Sequence, residues 1–191
     1  MKILLLNGSP RENGNTALAL RTVAAEIEAA GVAAEIVQLG KANYRPCIAC
    51  YACATKKDGH CHGVKDGLND LIDRMAAADG LVLGSPVWFS AATPYLKIVL
   101  DRAGMVSRVG TPLFRRKVGA AVIAVRRSGA NPVFSEINYW LLIQEMIVPG
   151  STYWNMGFGR EPGEIANDQE GMETFRVLGR NLAWTLAKVT A

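Results

Sequence analysis

The chain has 191 residues, half of them hydrophobic and 20% charged, which fits one compact domain with a sizeable core and excludes disordered and collagen-like classes. Its 21 basic and 17 acidic residues leave a net charge of +4, too small to imply nucleic-acid binding without a focused basic face. The longest apolar runs, such as Val118–Val125, fall far short of a membrane span, so no membrane partner is expected.

Lys2–Leu6 is a continuous apolar run that stops at Asn7-Gly8-Ser9-Pro10, the pattern of a strand buried on both faces before a turn. It is too short for a secretory h-region and lacks a cleavage site after it, which predicts a cytoplasmic protein. From Thr16, the apolar positions Leu20, Val23, Ala24 and Ile27 recur at helical spacing up to a stop at Gly31. A second strand is predicted over Val32–Leu39, then a cysteine-bearing loop from about Gly40 to Asp66, then a helix with Leu68, Leu71, Ile72 and Met75 on one face. Leu81–Leu83 reads as a third strand ending in the loop Gly84-Ser85-Pro86, and Thr93-Pro94 opens a helix with proline where its missing N–H costs nothing. Lys117–Val125 is a fourth buried strand, followed by a helix from Pro132 to about Met146 with Val133, Ile137, Trp140 and Leu141 on one face. A short fifth strand is expected near Ile147-Val148, then a Gly-rich aromatic segment from Ser151 to Gly163, and a closing helix from about Gln169 to Lys188.

Strands alternating with helices predict an α/β fold with a parallel sheet covered on both faces, because right-handed crossovers place helices there. Five strands suit the flavodoxin-like doubly wound order 2-1-3-4-5. No linker, repeat or low-complexity tract divides residues 1–191, so a single domain with a cysteine-rich insertion at about 40–66 is expected.

The first strand-to-helix loop, Asn7 to Thr16, ends at a helix N-terminus, where free N–H groups and the helix dipole favour an anion. Hydroxyls from Ser9 and Thr16 and the Arg11 cation complete a candidate phosphate site. The loop lacks both the Gly-x-Gly-x-x-Gly spacing of dinucleotide sites and the lysine of a nucleoside-triphosphate loop, so a phosphate monoester fits better. The second loop, Gly84 to Ser90, carries Trp88 and Phe89, large apolar side chains able to wall a planar ring. Four cysteines, Cys47, Cys50, Cys53 and Cys61, lie within fifteen residues, and such clustering in a reducing compartment points to metal or redox chemistry. Seven basic residues and no acid lie between Arg102 and Arg127: either a patch for cofactor phosphates or an acidic carrier, or a solvated surface.

The loops Gly8-Ser9-Pro10-Arg11…Gly14-Asn15-Thr16 and Gly84-Ser85-Pro86-Val87-Trp88-Phe89, with Leu96-Lys97…Asp101-Arg102, resemble the NAD(P)H-dependent FMN reductases of the flavodoxin superfamily. The cysteines and the tail Pro149-Gly150-Ser151…Tyr153-Trp154-Asn155…Gly159-Arg160-Glu161-Pro162-Gly163 make the chain most similar to the iron-sulfur flavoprotein branch. The resemblance implies FMN, with Ser9, Arg11, Asn15 and Thr16 on its phosphate and Pro86, Val87, Trp88 and Phe89 along the isoalloxazine. Arg126, Ser128 and Gly129 in the next loop are further candidates for the flavin or its ribityl chain. It also implies a [4Fe-4S] cluster on Cys47, Cys50, Cys53 and Cys61, electron exchange with NAD(P)H or a small protein such as ferredoxin, and a homodimer or homotetramer.

Physically, three cysteines at two-residue spacing can wrap three corners of a cubane while the longer arm returns to the fourth. The last gap exceeds the bacterial ferredoxin pattern, and His60 and His62 flank Cys61, so a zinc site and metal-free thiols stay open alongside the cluster. The corresponding alternatives are an FMN reductase without a cluster and a zinc-stapled binding module without turnover.

Overall fold

A computed structural model of the chain describes residues 1–189. Five parallel strands, β1 (Lys2–Asn7), β2 (Ala33–Gln38), β3 (Gly80–Pro86), β4 (Val118–Val125) and β5 (Met156–Phe158), form one sheet in the order β2-β1-β3-β4-β5, as expected from the alternation of elements. Six α-helices accompany them: α1 (Asn15–Ala29), α2 (Ala52–Lys56), α3 (Leu68–Ala77), α4 (Pro94–Met105), α5 (Ala130–Ile143) and α6 (Gln169–Val189). Among the described residues no helix is long and apolar enough to cross a membrane.

Side chains alternate across the strands and build two cores. Ile3, Leu5, Val82, Val118, Ala120 and Val122 pack with α1 and α6, while Leu4, Leu6, Leu81, Leu83, Ala121 and Ile123 pack with α3, α4 and α5. Each fully buried Leu or Ile contributes roughly 1.5–3 kcal/mol relative to its exposed state. With apolar side chains needed on both sides, β1, β3 and β4 carry no polar stripe, which is why they read as unbroken apolar runs.

Three local differences from the sequence reading have physical causes. The fifth strand is Met156–Phe158, paired with Ile123–Val125, and not Ile147-Val148. Ile147 does pair with the start of β4 as a single bridge, but Pro149 has no N–H to continue the ladder and the chain leaves the sheet until Met156. Gly84-Ser85-Pro86 belongs to β3, in register with Val122–Ala124, so the second loop starts at Val87. The cysteine loop contains the one-turn helix α2, which packs against a π-helical turn, Val106–Gly110, at the end of α4. Trp140 is half-buried, with Nε1 donating to the Leu100 carbonyl at 2.8 Å and its ring 5.4 Å from that of Phe114.

The basic stretch from Arg102 to Arg127 does not form one face. Arg102 is buried, Arg115 pairs with Glu145, and the Lys117 ammonium donates to the carbonyls of Ala76 and Ala78, closing the C-terminal end of α3.

Helices α1 and α6 approach most closely at Gly179, where a Cβ would lie 2.6 Å from the Val23 carbonyl oxygen. Gly179→Ala should therefore destabilise the protein by about 1–3 kcal/mol despite the better helix propensity of alanine, read as a lower melting temperature. An unchanged or higher value would mean that the two helices can separate without loss.

Candidate functional site

At the carboxyl edge of the sheet β1 and β3 diverge, because the helix after β1 crosses one face and the helix after β3 the other. Their ends are tied across this split. The Gly8 amide donates to the Gly84 carbonyl at 2.8 Å, and the buried Thr93 hydroxyl donates to the Gly8 carbonyl at 2.6 Å. Ser85 in turn accepts from the Thr93 amide at 3.1 Å.

The first loop curls above this tie. Asn7 Oδ1 accepts from the Ser9 amide at 3.1 Å, Ser9 Oγ accepts from the Arg11 amide at 3.1 Å, and Gln38 donates to the Ser9 carbonyl at 2.5 Å. Helix α1 begins after Gly14 without a side-chain cap. Its first-turn amides face a cavity of about 200 Å³ lined by Ser9, Arg11, Gly14, Asn15, Thr16 and Arg160, with Pro86, Trp88 and Ala124 on the sheet side. No carboxylate lines it. A wall of amides, hydroxyls, a carboxamide and two guanidiniums suits an anion, and the helix dipole adds to the attraction. The volume is below the roughly 300–1,000 Å³ of pockets that enclose a whole ligand, so it fits a phosphate group and the chain leading to it.

Of the sequence-predicted phosphate residues, the structure brings Ser9, Arg11, Asn15 and Thr16 together, and it adds Arg160. Asn15 has a second task. Its Oδ1 accepts from the amides of Gly163 at 2.9 Å and Ile165 at 3.3 Å, which holds the tail turn carrying Arg160 over the cavity. Only glycine fits at 159, where a Cβ would stand 2.5 Å from the Ile165 nitrogen. The turn residues of Gly159-Arg160-Glu161-Pro162-Gly163 were the one visible signal for Arg160.

In the second loop, Trp88 and Ala91 exchange backbone hydrogen bonds at 3.1 and 3.0 Å around Phe89 and Ser90, both with positive φ, the signature of a primed two-residue turn. Trp88 is the shared wall between the polar cavity and an apolar one lined by Leu39, Tyr44, Tyr95 and Ile98, and its ring meets Tyr95 edge-on at 6.2 Å. Pro86 lines the polar cavity and Val87 packs into the core, whereas Phe89 projects fully into solvent. In the third loop Arg126 and Ser128 are exposed at the same edge. Gly129, at φ +87°, lets α5 start where a Cβ would touch Ser90 Oγ at 2.8 Å.

The cysteine loop wraps a separate apolar cavity lined by all four cysteines together with Ile48, Val64, Arg102, Met105 and Val106. All four thiols are free; Cys47 and Cys50 are exposed, while Cys53 and Cys61 are half-buried, and burial pushes the Cys53 thiol up. Ala49 and Tyr51, either side of Cys50, are left-handed at φ +52° and +55°, which curls the chain tightly between the cysteines at a cost of about 1 kcal/mol or more each. A Cβ on Gly63 would lie 2.4 Å from Cys50 Sγ, so the returning arm approaches the sulfurs as bare backbone. Asn69 of α3 clamps Cys61 by accepting from its amide at 2.8 Å and donating to its carbonyl at 3.0 Å.

Among the described residues no three His, Cys, Asp or Glu side chains converge as a single metal ion requires. The Nε2 atoms of His60 and His62 sit against Asp73 and Asp58, at 2.9 Å in each case. Four thiols and His62 line one apolar cavity and are the residues there that could hold a metal centre.

The loop is anchored by a buried ion pair. Arg102 Nη1 donates to both oxygens of Asp66, at 2.8 and 2.6 Å, and both side chains are almost wholly enclosed. Burial alone would raise the Asp66 pKa, but hydrogen bonds from Arg102 and from the Arg45 and Leu68 amides outweigh it and hold the carboxyl below its ordinary value.

The chain matches the family described as NADPH-dependent FMN reductase over residues 1–161. It is 37% identical over 190 residues to an iron-sulfur flavoprotein of Methanocaldococcus jannaschii, covering 96% of each chain. It is also 30% identical over 187 residues to an iron-sulfur flavoprotein of Methanosarcina thermophila, covering 95% of this chain and 93% of that one. Among solved structures it superposes on an NAD(P)H:quinone oxidoreductase from Methanothermobacter marburgensis with a TM-score of 0.72 at 18% identity, over 95% of this chain and 96% of that one, a likeness of fold.

Asp66→Asn leaves the Arg102 cation buried without its counter-charge and should cost about 3–5 kcal/mol in urea unfolding. In the wild type, the Asp66 contribution is full above the ordinary carboxyl pKa near 3.9 and fades as pH falls through its lower folded value. The difference in stability between wild type and variant should narrow on acidification; a constant difference down to pH 2 would count against the pair.

Proposed function

The chain belongs to the NADPH-dependent FMN reductase family, and from that premise we propose a cytoplasmic FMN-dependent oxidoreductase whose cysteine loop carries a [4Fe-4S] cluster. The observation that carries the flavin part is the donor-rich, carboxylate-free cavity at the uncapped N-terminus of α1. Ser9, Arg11, Thr16 and the first-turn amides hold the phosphate, with Arg160 as a second cation and Asn15 keeping that arginine in place. Pro86, Val87, Trp88 and Phe89 would contact the isoalloxazine, and Arg126, Ser128 and Gly129 would contact the flavin or its ribityl chain. Bound FMN supplies hydride acceptance and single-electron release, and the chain contributes position and electrostatics, with no side chain required as acid or base.

Cys47, Cys50, Cys53 and Cys61 ligate the cluster. Their distribution around one cavity, the close backbone approach at Gly63 and the engagement of both histidines by carboxylates support this over zinc. NAD(P)H or an acidic carrier such as ferredoxin would exchange electrons with these cofactors, and the exposed Arg126 and Arg127 would attract either one. The protein assembles as a homodimer or homotetramer, for which the exposed Phe89, Tyr139, Tyr153 and Trp154 offer aromatic contact surface. An unchanged monomer mass in light scattering at micromolar concentration would overturn the assembly.

Reconstitution with FMN should give a yellow protein whose released chromophore has the mass of FMN. Arg11→Ala should weaken binding about ten- to hundredfold, the equivalent of one charge-assisted hydrogen bond. No flavin uptake would reject the reading. Anaerobic purification should yield iron and acid-labile sulfide in equal amounts, lost in Cys50→Ala. Flavin without iron in anaerobic wild type identifies a cluster-free FMN reductase, and stoichiometric zinc without flavin identifies a zinc-stapled binding module.

A further inference from the structure

The largest side chain wholly enclosed in this protein is a cation, Arg102, on the face of α4 behind the cysteine loop. Its guanidinium reaches both arms of that loop. Nη1 donates to the Arg45 carbonyl at 3.2 Å, just before Cys47, and to the Asp66 carboxylate. Nη2 donates to the Val64 carbonyl at 3.0 Å, three residues after Cys61. Nε is buried and has no hydrogen-bond partner. A buried N–H left unpaired is costly in any protein, and one on a charged group more so.

The same guanidinium lines the cavity that the four cysteines surround. Burial works against the cation, while the hydrogen bonds to Asp66 and the neighbouring Cys61 sulfur outweigh it and keep it charged. Asp66 offsets one unit of charge but is held by Nη1, which leaves the buried Nε–H without a partner in a side chain that lines the cysteine cavity. Lysine would not reproduce this: one ammonium cannot reach both arms and also donate toward the cavity, whereas the planar fork has five N–H groups in fixed directions.

We propose that Arg102 is a positioning residue for the cysteine site: it ties the two arms of the loop to α4 and turns its free Nε–H toward Cys61, favouring the reduced, more negative state of the metal centre held there. This rests on the cluster reading above. Hydrogen bonds to ligand sulfurs and local charge are the levers that set such potentials, and both act in the same direction here.

The test uses anaerobically reconstituted protein with FMN bound. Arg102→Lys keeps a charge but loses the fork, and the double variant Arg102→Gln with Asp66→Asn removes both charges while leaving an acceptor for one of the Arg45 and Leu68 amides. The midpoint potential of the iron signal is followed by mediated titration and electron paramagnetic resonance. The double variant should lose about tenfold in the ratio of reduced to oxidised centre at fixed potential, a fall of about 59 mV for one electron. Arg102→Lys should lie between it and wild type.

Iron-loaded variants with the wild-type potential would overturn the proposal. So would a lysine variant that binds FMN and melts like wild type yet takes up no iron, because Arg102 would then be a structural tie alone. A wild type that takes up no iron and sulfide fails at the earlier step, the cluster reading itself.

Discussion

The architecture depends on one constraint: parallel strands joined by right-handed crossovers must bury both faces, so every strand leaves the sheet at the same edge. Between β1 and β3 the exits turn to opposite faces, and the gap that opens there is bridged by Gly8, Gly84 and Thr93. The start of α1 is uncapped because its N-cap position is Gly14, which has no side chain to offer, and its amides remain available to a ligand. The left-handed turn at Phe89 and Ser90 and the close packing at Gly129 occupy the same edge as the open donors of α1.

What was legible in the sequence follows the same division. Continuous apolar runs located β1, β3 and β4 because burial on both faces leaves no alternation to misread, and helical spacing located α1, α3, α5 and α6. The edge strand was harder. β5 is three residues long, contains Gly157 and exposes Phe158, so it carries too little hydrophobic signal to stand out from a Gly-rich segment, whereas Ile147-Val148 looked more strand-like and makes only one bridge. At the site, the loop residues adjacent in sequence were found together, since a strand-to-helix turn brings its own members into one cavity. Arg160 was not assigned because its place depends on a contact across 148 positions, from Gly163 back to Asn15, that no local pattern encodes.

Arg102 shows the same limit from another side. In the sequence it is one of seven basic residues in a stretch without acids, a context that reads as surface. Its burial becomes intelligible only when Asp66 and the carbonyls of Arg45 and Val64 are brought around it by the fold. A basic run read along the chain therefore says little about surface potential: three of these seven cations, Arg102, Arg115 and Lys117, are spent on carboxylates or carbonyls within the protein.

The Asn15 clamp also sets an order of events during synthesis. Helix α1 and the first loop emerge early from the ribosome, but the amides that fix Asn15 belong to Gly163 and Ile165, and Ile165 is locked only by the core beneath α6. The cavity is thus completed by a turn 148 positions downstream of Asn15. During synthesis the amides at the start of α1 exist before Arg160 and Gly163 do, so the full set of donors around the cavity assembles only when the tail turn docks on Asn15.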